Sequence, residues 1–515
     1  MVKLKSLLAL AALLLLSACS VNPVTGENQL MLVPQSWDLS IGEQQYGPAR
    51  QMQGGDMVAD PELTAYVQSV GQRIAAVSDS DLPYEFVVLN NGVPNAWALP
   101  GGKIAVNRGL LAELEDEAEL AAVLGHEIVH AAARHGAQSY QRGVFTQLAL
   151  IGLSTSVQGR SDDRLIVGGA TLGAMLISSS YSRGAESESD TYGMEYMHRA
   201  GYDAAAAVDL QRTFVRLSQG HDSNWLVGLF ASHPPSQERV ADNQSTLARI
   251  GAGGERNPAA YLAATAYLRD HAQEYQRMDD AAQALADGDV ATAAAIAGEL
   301  RDRLPGEPMV WSLSADVATA SGDPRTALTW VDRAVSMQPD YYRNHLVRGR
   351  NLLSLGRTDA AQAELERANQ LLPTAGAYLA LGDLAERRGD QNGAMENYQA
   401  AAGSDTNVGR DAAVRLARLA MPRDPSRYFE VSRAIDNQGR LLLDVANGSP
   451  LQGVDIVVRV TVLSEVGAVI ATRDYSARIE AGAGSHTTLR TDLTGFASTD
   501  DLARVRAEVI RAVPN

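Results

Sequence analysis

Between residues 272 and 420 the chain repeats its own punctuation, and that period leaves few folds open. Pro305, Pro339 and Pro373 stand 34 residues apart, and Gly288, Gly322, Gly356 and Gly389 are spaced 34, 34 and 33. Ala334, Ala368 and Ala401 keep the same step. Glycine suits the turn between two helices, proline closes the second, and small residues mark where helices touch. A unit of this length is one helical hairpin that cannot bury its apolar face alone, so successive units must stack. The expectation is a curved array of antiparallel helices.

The segments Ala-Leu-Thr-Trp-Val-Asp-Arg-Ala (327–334) and Ala-Gln-Ala-Glu-Leu-Glu-Arg-Ala (361–368) occupy the same phase as second helices. The period and its markers resemble the tetratricopeptide repeat. After Pro425 the pattern changes to alternating apolar residues. Leu441–Val445, Val454–Val462, Val469–Ile479, Thr487–Leu493 and Val505–Val513 read as strands, and their number and spacing predict a small β-sandwich over 425–515. Ahead of the repeats, residues 46–255 mix helices with few strands. Tyr84–Leu89 and Lys103–Val106 are the clearest strands, bounded by Asn90-Asn91-Gly92 and Pro100-Gly101-Gly102. Two apolar stretches within 143–180, split by Asp162, Asp163 and Arg164, are too short to span a bilayer and read as two buried helices.

Charge and cysteine narrow the chemistry. Lys+Arg 44 against Asp+Glu 61 gives a net charge of −17, which repels phosphate backbones and argues against a nucleic-acid partner. One cysteine excludes a disulfide framework and any multi-thiolate metal site, so zinc would have to sit on His and carboxylate. That cysteine is itself informative. Lys3 and Lys5 precede an apolar run from Leu7 to Leu16, then Ser17-Ala18-Cys19, the layout of a secretory signal over 1–18. Leu16-Ser17-Ala18-Cys19 resembles the bacterial lipobox, which implies cleavage before Cys19 and lipidation of it. Ser20 in place of Asp favours the outer membrane. Residues 19–45, polar and irregular, are expected to form a tether that becomes an ordered arm facing the periplasm.

The strongest chemical signal is His126-Glu127-Ile128-Val129-His130 within the helical stretch Glu117–Ala133, which Gly136 is expected to stop. At about 100° per residue, His126 and His130 project about 40° apart and can grip one Zn²⁺. Glu127 points to the flank, where it can take a proton from water without ligating. His135 is half a turn out of phase and reads as a helix-end histidine. A third ligand is needed. Ala133 and Gly136 stand where a metzincin needs Gly and His, so that class is excluded. The helix Arg183–Met197 offers Glu186 and Asp190 on one face, one to ligate and one to accept the free N–H of a ligating imidazole, while Glu188 lies about 200° from Glu186.

Taken together, Asn95-Ala96-Trp97-Ala98-Leu99-Pro100-Gly101-Gly102, His126–His130, Ser182-Arg183 through Glu186 to Asp190, and His233-Pro234 resemble the CAAX-prenyl-protease-like zinc metalloproteases. The resemblance implies a gluzincin-type domain binding one Zn²⁺ through His126, His130 and Glu186. It assigns Glu127 as general base and Asp190 as second-layer partner of His126. It implies a loop His233 able to fill the open metal position, and Arg239 beside a carboxylate or a developing oxyanion. Asn95, Gly101 and Gly102 would belong to a segment leading into the edge strand that pairs with extended substrate. The implied clients are unfolded or misassembled outer-membrane proteins, with the repeats docking the client or the outer-membrane assembly machinery.

The expected fold class is thus mainly α with a small sheet: a metalloprotease domain, a helical solenoid and a β-sandwich of unread role. The expected activity is zinc endopeptidase. A repeat-based periplasmic chaperone or adaptor with a latched or vestigial protease remains the alternative, and a peptidase of cell-wall peptides a third.

Overall fold

The computed structural model describes residues 19–143, 181–220 and 233–514. The signal segment and the two apolar stretches of 143–180 lie outside the described residues. By contact the chain divides into two compact units, one comprising 1–355 with 370–372 and the other 356–369 with 373–515. The seam therefore falls inside the repeat array, not in the stretch before residue 272 where the composition changes.

The first unit opens with a short hairpin, β1 (Cys19–Val21) paired antiparallel with β2 (Asn28–Leu30), then α1 (Gln35–Met52), so the expected irregular arm is hairpin and helix. Helix α2 (Pro61–Ala75) has Pro at its first position and Asp60 as N-cap, its side chain accepting from Leu63 N. A three-stranded sheet follows: β3 (Glu85–Leu89), β4 (Ala96–Leu99) and β5 (Lys103–Asn107), in the order β3-β5-β4. β5 pairs parallel with β3 and antiparallel with β4. This corrects the sequence reading in one respect. The Ala96–Leu99 segment is itself the edge strand, and Lys103–Asn107 is the central one.

Helix α3 (Arg108–Glu113) leads to α4 (Glu117–Ala132), capped by the Asp116 carboxylate, which accepts from Glu119 N at 2.9 Å. α4 is buried nearly all round, as its apolar positions require. It does not end at Gly136. Arg134 adopts φ 62°, left-handed backbone that stops the helix, and the chain turns helical again at His135. The Arg134 side chain compensates the strain by pairing with buried Asp38 and donating to Val33 O at 2.9 Å.

Helices α5 (Arg183–Arg199), α6 (Ala205–Gly220) and α7 (Gln237–Ile250) follow, α5 and α6 packing on α4 and α7 packing on α5 and α6. α4 and α5 approach closely because glycine faces glycine: a Cβ at Gly125 would lie 3.0 Å from Gly193 O, and one at Gly193 3.0 Å from His126 N. Helices α8 (Pro258–Ala264) and α9 (Ala266–Asp270) bridge to the first repeat pairs, α10 (Ala272–Ala286), α11 (Val290–Arg303), α12 (Pro308–Ala320), α13 (Pro324–Met337) and α14 (Tyr342–Ser354). One apolar core runs without interruption from Leu63 and Ile128 through Tyr275, Leu300 and Val317. A buried polar knot reinforces it. Glu307 accepts from Asn90 Nδ2 at 3.0 Å and Tyr275 Oη at 2.9 Å, while Arg108 pairs with Asp279 at 2.7 Å.

The second unit holds α15 (Thr358–Leu371, all but its last turn), α16 (Ala375–Arg387), α17 (Gln391–Ala402) and α18 (Asn407–Ala420), then two three-stranded antiparallel sheets. Their strands are β6 (Phe429–Ile435), β7 (Arg440–Asn447), β8 (Val454–Leu463), β9 (Val469–Ile479), β10 (Ser485–Thr494) and β11 (Val505–Pro514), ordered β10-β7-β6 and β11-β8-β9. Alternating residues Leu441, Leu443, Val445 and Ile456, Val458, Val460 fill the space between them. β6 is a strand the sequence reading did not anticipate; its exposed Glu, Ser and Arg positions weaken the apolar alternation.

Candidate metal centre and active site

Three helices deliver the site. α4 carries His126 and His130 one turn apart. α5, N-capped by Ser182 (accepting from Ala185 N at 3.2 Å), carries Glu186 and Asp190 one turn apart. α7, N-capped by Ser236 (accepting from Arg239 N at 3.1 Å), carries Arg239, with His233 just before it. Ligand atoms of His126, His130, Glu186 and His233 all lie within 4.8 Å of one another.

The imidazoles converge. His126 Nε2 and His130 Nε2 are 2.9 Å apart, and Glu186 carboxylate oxygens lie 3.6 and 3.3 Å from them. His233 fills the remaining corner, its Nδ1 3.0 Å from Glu186 Oε1 and 3.3 Å from His126 Nε2, while its Nε2 sits 3.6 Å from Glu127 Oε1. His126 Nδ1 is 3.0 Å from Asp190 Oδ1, which fixes that proton on Nδ1 and leaves Nε2 a lone pair. Arg239 grips Asp190 with two bonds of 2.7 Å and stands 3.1 Å from Glu186 Oε2. Its guanidinium is committed to these two carboxylates of the chain itself.

The electrostatics call for a divalent cation. Glu127, Glu186 and Asp190 are buried beside a single buried guanidinium, leaving two uncompensated negative charges. Without a metal the site gathers protons instead. Burial opposes it, but the Asp190 and Glu186 carboxylates push His126 up to about 10. Burial raises Glu186 too, yet His233, His126 and His130 hold its carboxyl far below the usual range. Burial drives His130 well below an ordinary imidazole and raises Glu127. Glu127 Oε2 is buried with no hydrogen-bond partner among the described residues, as a base awaiting water would be. Two neutral imidazoles and a carboxylate in this arrangement fit zinc, with His233 at the fourth position.

The neighbouring residues fall outside the donor set. Glu188 does not join the donor set; its Oε1 faces His135 Nε2 at 3.5 Å. Gly101 and Gly102 form the β4–β5 turn at φ 82° and 85°, packed against Asp38 and Leu39 and against Leu82 and Tyr84, not against the metal-facing groups. Asn95 is buried at the start of β4, its carbonyl accepting from Asn107 N at 2.8 Å. Two residues escaped the sequence reading. Tyr181 stacks on the His130 ring at 3.9 Å between centroids; its only signal was its place one residue before the α5 cap. Gln211 lies in a cleft of about 40 Å³ shared with His126 and Glu127 and walled by Ala96, Val123, Met194 and Phe214. Its Oε1 is buried and without a partner among the described residues.

Residues 61–246 match the family model described as Peptidase family M48, in agreement with the resemblance read from the motifs. The beta-barrel assembly-enhancing protease of Escherichia coli (strain K12) is 30% identical, over 40% of this chain and 44% of that protein. The mitochondrial metalloendopeptidase OMA1 of Schizosaccharomyces pombe is 36% identical, over 34% of this chain and 51% of its own length. The metalloprotease YcaL of Escherichia coli (strain K12) is 28% identical, over 38% and 76%. The chain thus spans about half, or less, of the length of the first two relatives. Among solved structures, a thermophilic TPR protein of Thermus thermophilus covers 41% of this chain and 97% of its own at 20% identity, with a TM-score of 0.26.

Proposed function

We propose that this chain is a zinc endopeptidase of the bacterial envelope that cuts unfolded or misassembled outer-membrane proteins. The observation that carries the reading is the convergence of His126 Nε2, His130 Nε2 and the Glu186 carboxylate, with Glu127 beside them, its Oε1 facing His233 and its Oε2 without a partner among the described residues. Zinc, when bound, supplies the Lewis acidity that polarises a peptide carbonyl and acidifies water.

The chain's own residues do the rest. Glu127 accepts the proton of the attacking water and hands it to the leaving amine, so no acyl-enzyme forms. Asp190 holds the His126 tautomer, and Arg239 holds Asp190. His233 closes the site at rest and must leave both the fourth corner and Glu127 for water to enter. The edge of β4, which pairs with no further strand among the described residues, takes the client as an added strand, giving main-chain affinity with little sequence demand. The cleft walled by Val123, Met194 and Phe214 takes an apolar client side chain, and Gln211 Oε1 offers it an acceptor with no partner among the described residues, beside Glu127 Oε2.

The envelope setting is supported by the signal and lipobox pattern of residues 1–19 and by the names of the relatives. The repeats are read as the docking platform for clients or for the assembly machinery. Among the described residues no helix is long and apolar enough to cross a membrane, and attachment is assigned to lipid on Cys19. His233 standing against Glu127 favours one further reading, a chaperone or adaptor whose protease is held latched.

Glu127→Gln separates the two. It should lower cleavage of a denatured β-barrel client by about 10²–10⁴-fold while client binding persists. Undiminished cleavage would remove Glu127 as the base, and no cleavage by wild type would leave the adaptor. Cys19→Ala should release the protein into the soluble periplasmic fraction; retention in the pellet would show another anchor.

A further inference from the structure

The two ligand imidazoles are braced differently. His126 rests directly on a carboxylate, Asp190. His130 does not, and following its protons outward leads to the N-terminal arm. Its Nε2 faces the donor set, so its hydrogen is on Nδ1, and Nδ1 lies 2.9 Å from His135 Nδ1. His135 must then accept at Nδ1 and carry its own hydrogen on Nε2, which faces Glu188 Oε1 at 3.5 Å. Glu188 Oε1 also accepts from Asn22 Nδ2 at 2.7 Å. Ser189 Oγ, 3.4 Å from His135 Nδ1, is a second and longer donor to the same nitrogen.

The outer end of this relay is held by the arm itself. Asn22 is buried, and its Oδ1 accepts from Val24 N at 2.9 Å and Thr25 N at 3.4 Å, which sets the amide with Nδ2 toward Glu188. The arm is in turn tied to the helical turn that carries His135. Leu32 N donates to Gln141 Oε1 at 2.7 Å, and Gln138 Nε2 donates to Gln29 Oε1 at 2.8 Å. Left-handed Arg134 makes this possible by turning His135 inward, where it is buried.

We propose that His135, Glu188 and Asn22 are positioning residues for the metal: a relay that fixes the His130 tautomer and couples arm docking to zinc affinity. The proposal rests on the metal-centre reading above. Outer partners of a ligating imidazole are worth about 10–100-fold in metal affinity. Coupling is reciprocal, so zinc must tighten the arm by the factor that the docked arm tightens zinc. Asn22 lies three residues past Cys19, so an arm pulled away from the body would loosen the ion.

The test uses the full chain, with zinc affinity from chelator competition and the visible spectrum of the cobalt-substituted protein. Glu188→Gln keeps the shape and removes the charge. Asn22→Asp keeps the acceptor that the turn needs but sets a carboxylate against Glu188. Both should weaken zinc by about tenfold or more and alter the cobalt spectrum. In wild type, zinc should slow amide exchange at Val24 and Gly26 by about the same factor, a readout that stands if either variant fails to fold. Affinities within tenfold of wild type with an unchanged spectrum, or arm exchange indifferent to zinc, overturn the relay whatever happens to stability. A wild type that binds no zinc refutes the metal centre and the relay together. One that binds zinc and cleaves, beside variants of unaltered affinity, refutes the relay alone.

Discussion

Replacing Arg239 with Met gives the sharpest measure of how the site is held together. The guanidinium is buried, makes two 2.7 Å bonds to Asp190 and reaches Glu186 at 3.1 Å. Met fills a similar volume but leaves two buried carboxylates without their cation. Removing one partner of a buried pair costs about 3–5 kcal/mol. For a unit of this size that corresponds to a fall of roughly 6–10 °C in unfolding midpoint, at about 2 °C per kcal/mol. The metal-free protein should show the full effect. The zinc-loaded protein should show less, because the ion takes over part of the compensation at Glu186. Arg239→Lys should recover part of the loss, since it keeps the charge but not the fork. The assay is thermal unfolding of each variant with zinc and after chelation. A loss below about 1 kcal/mol in metal-free Arg239→Met would refute the reasoning, because a buried carboxylate pair could not then depend on that guanidinium.

Other consequences are equally direct. Burial pushes Glu119 up to about 7, so the folded chain binds a proton that the unfolded chain releases near 4.5. Its stabilising contribution is present below about pH 4.5 and is lost as pH rises through 7, at most about 3 kcal/mol; denaturation of Glu119→Gln should lack that slope. His233→Ala removes a hydrogen bond to a charged carboxylate worth about 1.5–3 kcal/mol, so cleavage should rise about ten- to hundredfold. A fall would make His233 an assistant to catalysis. Gly193→Val drives a side chain into the His126 backbone, and about 1–3 kcal/mol of overpacking should appear as weakened zinc affinity by chelator competition.

The metal helix was legible because three residue types at helical spacing have few other uses. His126, Glu127 and His130 could be read from phase alone, and the α5 pair Glu186 and Asp190 from a shared face. What escaped depended on single backbone events. The left-handed Arg134 re-aims His135, and no periodicity records a positive φ at a non-glycine residue. The glycine-on-glycine approach of α4 and α5 is likewise a relation between segments 68 residues apart. The β4 edge strand was hidden because Ala96–Leu99 is only four residues long and offers no β-branched residue to mark it. The 34-residue step located the repeats but gave no sign that the first pairs share a core with the metal-site helices.

That shared core has a hereditary consequence. Tyr275, Leu300 and Val317 complete the same interior as Ile128, and Glu307 and Asp279 close polar bonds with Asn90 and Arg108. Among the described residues the metal-site helices and the leading hairpins share one interior up to residue 355, so recombination could not give the metal site a different helical array by splicing near residue 272. The leading hairpins must be passed on as one block with the metal-site helices, and only the pairs beyond them are at liberty to be lengthened, trimmed or exchanged.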